Sequence, residues 1–68
     1  MGFILLHDKH GDTVMLNASR IMYAYAETFG GHPTTVITLI SDDKRADIFV
    51  QESVDDIYRA IRRLTEDK

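Results

Sequence analysis

The run Thr35-Val36-Ile37-Thr38-Leu39-Ile40 restricts this chain more than any other stretch of it. Five of these six residues are β-branched, which stiffens χ1 and favours a pleated backbone over a helical one. Side chains along a strand alternate between two faces, so Val36 and Ile40 point one way while Ile37 and Leu39 point the other. Neither face is polar, and the segment therefore reads as a central strand buried on both sides.

The residues around it repeat the period of two. A strand is expected over Phe3 to His7, followed by the turn Asp8-Lys9-His10-Gly11-Asp12, where Gly11 can supply a positive φ, and a second strand over Thr13 to Leu16. Asn17-Ala18-Ser19-Arg20 holds two residues that bond their own backbone, which predicts a corner or a single helical turn started by Asn17. A third strand from Ile21 to about Glu27 sends Ile21, Tyr23 and Tyr25 to one face and Met22, Ala24 and Ala26 to the other. Thr28 to Thr34 contains Gly30-Gly31 and the only proline, Pro33, and reads as a flexible loop. After the β-branched strand, Ser41 to Arg45 turns the chain and Ala46 to Gln51 returns antiparallel to it.

Beyond Ser53 the period changes to 3.6. Ser53 is a candidate N-cap with Asp56 at the third helical position, and Asp55 and Asp56 stand where the helix dipole favours negative charge. Val54, Ile57, Tyr58, Ile61 and Leu64 form one expected apolar stripe on a helix of about 12 residues, with Arg59, Arg62 and Arg63 largely off it. The fold class that follows is α+β: a five-stranded antiparallel β-meander, flat or strongly curled, with one C-terminal α-helix, in one small domain over residues 1–68.

A chain of 68 residues without cysteine has neither a disulfide nor a thiolate-bound zinc to compensate for a small core. Five strands at about 4.8 Å span about 24 Å, whereas a helix with its side chains measures about 10 to 12 Å. One helix cannot cover even one face of such a sheet, and the other face is apolar as well. The sheet must therefore curl, pair with a second copy or bury its spare face against another protein, and self-association is the preferred expectation.

The residues that carry chemistry have ordinary structural roles open to them. His7-Asp8-Lys9-His10-Gly11-Asp12 holds potential metal ligands, but Lys9 places a cation among them and the segment suits a solvated hairpin turn. Ser19, Ser41 and Ser53 lie on no glycine-flanked elbow. Asp42-Asp43 suits a turn and Asp55-Asp56 a helix N-terminus, while Phe29-Gly30-Gly31-His32 lacks the lysine and the following helix of a phosphate loop. No nucleophile, cofactor loop or metal set stands out, so the chain is expected to be neither an enzyme nor a cofactor binder.

Arg59, Arg62 and Arg63 could form a nucleic-acid-binding stripe, although a net charge of −3 opposes it and Asp55–Arg59 and Arg62–Glu66 have the spacing of intrahelical pairs. Tyr23 and Tyr25, two aromatics on one strand face, are either core fillers or anchors of an interface. The longest early apolar run, Phe3 to Leu6, is far shorter than the roughly 20 residues of a spanning helix. Cytoplasmic location without membrane insertion is the corresponding expectation.

Leu16-Asn17-Ala18 followed by Ile21, then Glu27, then Pro33-Thr34-Thr35-Val36-Ile37-Thr38-Leu39, and finally Phe49-Val50-Gln51-Glu52-Ser53-Val54-Asp55-Asp56-Ile57 resemble the FlbD (SwrD) family of small bacterial flagellar-associated proteins. The likeness spans most of residues 16–61. The chain departs from that pattern in the acidic, His-bearing turn at Asp8 to Asp12, the turn at Ser41 to Arg45 and the longer Phe29 to His32 segment. The resemblance implies a non-enzymatic accessory role in motility and assigns no catalytic residue. The expected function is thus a protein-interaction module, acting as a homo-oligomer or with a protein partner through the face of Tyr23 and Tyr25. A small nucleic-acid-binding regulator using Arg59, Arg62 and Arg63 is the alternative.

Overall fold

The computed structural model describes residues 2–66 and contains five antiparallel strands, one 3₁₀ turn and one helix, an α+β fold. The elements are β1 (Phe3–His7), β2 (Thr13–Asn17), the 3₁₀ turn Ala18–Arg20, β3 (Ile21–Phe29), β4 (His32–Ser41), β5 (Lys44–Val50) and α1 (Val54–Glu66). The strands are divided between two sheets, β1-β2 and β3-β4-β5.

The division arises at the corner after β2. Asn17 Oδ1 accepts hydrogen bonds from the Ser19 backbone N–H at 3.1 Å and the Ser19 hydroxyl at 2.7 Å, winding the chain into the 3₁₀ turn. The Ala18 N–H then donates to the Gly2 carbonyl at 3.0 Å, and Ala18 is buried. This turn redirects the chain, and β3 leaves without pairing with β2. The two sheets meet again at the other end of β1, where Asp8 forms a bridge with Val50, the Gln51 N–H donates to the His7 carbonyl and the Gln51 side-chain amide donates to the Asp8 carbonyl.

β4 occupies the centre of its sheet, and Thr35, Val36, Ile37 and Thr38 are all buried. Ile37 is 0% exposed and anchors a cluster with Ile4 and Leu6 of β1, Leu16 of β2, Val50 of β5 and Ile57 of α1. One face of the three-stranded sheet is therefore covered jointly by the β1-β2 hairpin and the helix. Ala24, Leu39 and Ile48 pack on the same side.

Three expectations are corrected. Gly30 and Gly31, with φ of 56° and 80°, form a two-residue hairpin turn, so β3 runs on to Phe29 and β4 starts at His32. Pro33 stands in the ladder opposite Thr28. Since the closing pair Phe29↔His32 of such a hairpin exchanges both backbone bonds, the next pair does not, and the missing N–H of Pro33 faces away from β3 at a level β5 does not reach.

The second correction concerns β3, where a register shift between Ile21 and Tyr23 breaks the alternation. Ile21 lies opposite Leu39 and packs toward the core, while Tyr23 and Tyr25 occupy the other face. The third concerns α1. Ile57 is buried and Ala60, Ile61 and Leu64 pack against the core, but Val54 and Tyr58 are exposed, so the inward stripe is rotated from the expected one. At the helix start the Asp56 N–H donates to Ser53 Oγ at 3.1 Å, which makes Ser53 the cap.

The rotated stripe has a measurable consequence. Ile57→Ala should destabilise the fold by about 2 to 5 kcal/mol, whereas Tyr58→Ala should change it by less than about 1 kcal/mol, as read from urea unfolding. Equal losses for the two variants would contradict this placement of the helix.

Candidate interaction surface

The face of the three-stranded sheet turned away from the hairpin and helix carries four aromatic rings. Tyr23 and Tyr25 are 50% and 41% exposed, and Phe29 and Phe49 join them from the end of β3 and from β5. Tyr23 and Tyr25 lie with ring centres 6.1 Å apart, and Phe29 meets Phe49 edge to face at 5.1 Å. The registers Tyr25↔Val36↔Phe49 and Tyr23↔Thr38↔Asp47 explain the arrangement. Small residues on the central strand are buried between larger ones on both flanks, so the rings both shield β4 and present their outer surfaces to solvent.

Polar groups are placed within this face rather than only around it. The Thr38 hydroxyl donates to Asp47 Oδ1 at 2.8 Å, satisfying a buried hydroxyl. The Tyr25 phenol ionises above its ordinary value of 10.0, first through desolvation and then through the nearby Asp47 and Glu27 carboxylates and Tyr23. At the rim, Lys9 Nζ lies 5.9 Å from the centre of the Phe49 ring.

Tyr23 and Tyr25 share one face, as strand alternation predicts, and that face is exposed to solvent. Phe29 and Phe49 join the group only through the tertiary structure. Phe29 shares the parity of Tyr25, a relation concealed by reading Thr28 to Thr34 as a loop; the Gly-Gly dipeptide between two apolar runs was the available hairpin signal. A second apolar patch lies on the outer face of the β1-β2 hairpin, where Leu5 and Met15 face each other across the ladder, each 64% exposed, beside Phe3.

The segment His7 to Asp12 serves the architecture. The Asp8 carboxylate accepts from the backbone N–H groups of His10 and Asp12, at 2.9 and 3.0 Å, and Gly11 takes φ of 87°. Glu52 accepts from the His7 backbone N–H at 2.9 Å and lies 2.7 Å from His7 Nδ1, tying the end of β1 to the segment between β5 and α1. Partial burial alone would raise the Glu52 pKa, but the hydrogen bonds and charge interaction with His7 outweigh it and hold the carboxyl below its ordinary value of 4.5.

Arg59, Arg62 and Arg63 line one shallow cleft on the helix together with Asp55 and Tyr58. Arg59 Nη1 lies 4.0 Å from Asp56 Oδ1, a spacing of three residues, so its ion pair is with Asp56 in place of the expected Asp55. Arg62 sits 5.8 Å from the Tyr58 ring centre. Its expected pairing with Glu66 lies outside the described side chains. Among the described residues, no group of three or more His, Cys, Asp or Glu side chains is placed to hold a metal ion.

No protein-family model, curated protein or solved structure matches this chain.

The Glu52 contacts predict a pH response. Because its carboxyl is more acidic when folded than when unfolded, the unfolded chain binds more protons as pH falls below about 4.5, and stability falls with it until the folded carboxyl is also protonated. Unfolding curves should show this loss, and Glu52→Gln should flatten the stability profile in that acid range. An unchanged profile would show that Glu52 does not couple folding to pH.

Proposed function

We propose that this chain is a non-enzymatic protein-interaction module that works as a homo-oligomer or with a protein partner through the open face of β3-β4-β5. The observation that carries this reading is the set of four aromatic rings on the face that neither the hairpin nor the helix covers. Aromatic residues provide large contact areas at modest entropic cost, and clusters of them ringed by polar groups are typical of interface centres. Asp47, Glu27 and Lys9 supply such polar groups here.

The resemblance of residues 16–61 to the FlbD family supports a flagellar or motility accessory role in the bacterial cytoplasm. Among the described residues, no helix is long and apolar enough to cross a membrane. Tyr23→Asp combined with Tyr25→Asp should weaken association by at least about tenfold while leaving the helix formed. Light scattering after size exclusion over a range of concentration, together with circular dichroism, measures both. A folded double variant that associates like the wild type would refute the assignment of this face.

The cleft shared by Arg59, Arg62, Arg63 and Tyr58 favours one second reading, a small nucleic-acid-binding regulator. The acidic balance of the chain and the Asp56 carboxylate beside Arg59 count against it. That reading requires binding to DNA or RNA that weakens steeply with salt and disappears when all three arginines are replaced by alanine. Absence of a mobility shift with either nucleic acid at low salt would remove it.

A further inference from the structure

We infer that two copies of this chain join edge to edge through β3, making one continuous six-stranded antiparallel sheet. The inference deepens the self-association reading and rests on it. Its basis is the difference between the two outer edges of the three-stranded sheet.

The β5 edge is guarded. It begins with Lys44 and Arg45, charged residues that discourage strand addition, and its end is occupied by the Asp8 bridge to Val50 and the Gln51 bond to His7. The β3 edge is nine residues long, contains no lysine, arginine or proline, and has Glu27 as its only charged side chain. Among the described residues, no backbone hydrogen bond from another element reaches its outer side. The free edge of β2 offers only five residues.

The backbone groups available on β3 follow from its hairpin. Phe29↔His32 is the hydrogen-bonded closing pair of a two-residue turn, so Glu27, Tyr25 and Tyr23 direct their N–H and C=O groups toward β4. Thr28, Ala26 and Ala24 direct theirs outward. A strand with outward groups at every second position can receive a second copy of itself running antiparallel.

The side chains suit that occupant. With Ala24 opposite Ala24 of the second copy, Tyr23 of each chain lies opposite Tyr25 of the other as a close aromatic cross-strand pair. This register keeps the two Glu27 carboxylates apart. A two-fold axis normal to the sheet leaves each face on its own side, so Tyr23, Tyr25, Phe29 and Phe49 of both copies combine into one aromatic face. On the helix side the seam is bordered by Ala24 and Ala26, whose small side chains demand little room.

In this register the paired segment is residues 21–27, seven per copy, which buries less than the roughly 1,200 Å² of a standard stable interface, so the dimer should be weak and strongly concentration-dependent. The test combines sedimentation velocity over micromolar to millimolar concentration with amide hydrogen exchange by NMR. The expected result is a monomer–dimer equilibrium in which the Ala24 and Ala26 amides gain protection as concentration rises. Ala26→Pro removes one outward N–H per copy and should weaken the dimer by at least about thirtyfold. The ring has room, because Ala26 lines an open cleft with Thr35, Gln51 and Val54.

A dimer that leaves these two amides unprotected, or that forms equally well in a folded Ala26→Pro variant, would overturn edge pairing while preserving self-association through the aromatic face. If Ala26→Pro fails to fold, the wild-type amide protection still decides. A wild-type protein that stays monomeric to millimolar concentration would overturn both edge pairing and self-association, leaving the aromatic face only as a site for a different protein.

Discussion

Val36 and Thr38 leave β4 on one side and Thr35 and Ile37 on the other, and all four are removed from water. A strand in that condition needs a cover on each face, and the described elements supply a full one on only one side. The chain covers one face with the β1-β2 hairpin and α1, which meet at Ile37. The other is shielded only by large side chains on the flanking strands, Tyr23 and Tyr25 on one side and Phe49 on the other. The surface proposed for association is thus produced by the same burial requirement that organises the core.

The hairpin can reach the sheet because the chain turns at Asn17 to Arg20 and is fastened again at Asp8, Gln51 and Glu52. These bonds are polar and lie near the ends of elements, where they orient the two sheets while the apolar cluster holds them together. A small domain buries a limited fraction of its surface, so such corner bonds carry more of its structural definition than they would in a larger protein. Partly exposed aromatic residues remain on its outside for the same reason.

Much of the fold was legible from local patterns. The central position of β4, the turn at Gly11, the corner started by Asn17 and the Ser53 cap each follow from a few adjacent residues, and the structure contains all four. Three features were concealed. The register shift near Met22 changes the partnership of Ile21 without any glycine or proline to announce it. Pro33 resembles a ladder breaker until the geometry of the two-residue turn shows which way its nitrogen faces. The helix stripe admits Tyr58 by spacing alone, yet Ala60 is the residue turned toward the core.

By itself the sequence determined the element types and their order, because β-branching, turn chemistry and capping act over a few neighbouring residues. It also marked Tyr23 and Tyr25 as partners on one face, since alternation along a strand is local. Only the tertiary structure decided that Phe29 and Phe49 belong with them, that β2 and β3 part company, and that the hairpin and helix share one face while the other stays open. Those outcomes depend on register between strands and on the angle at which two sheets meet. Both are set by contacts between residues far apart in the chain, where local periodicity carries no information.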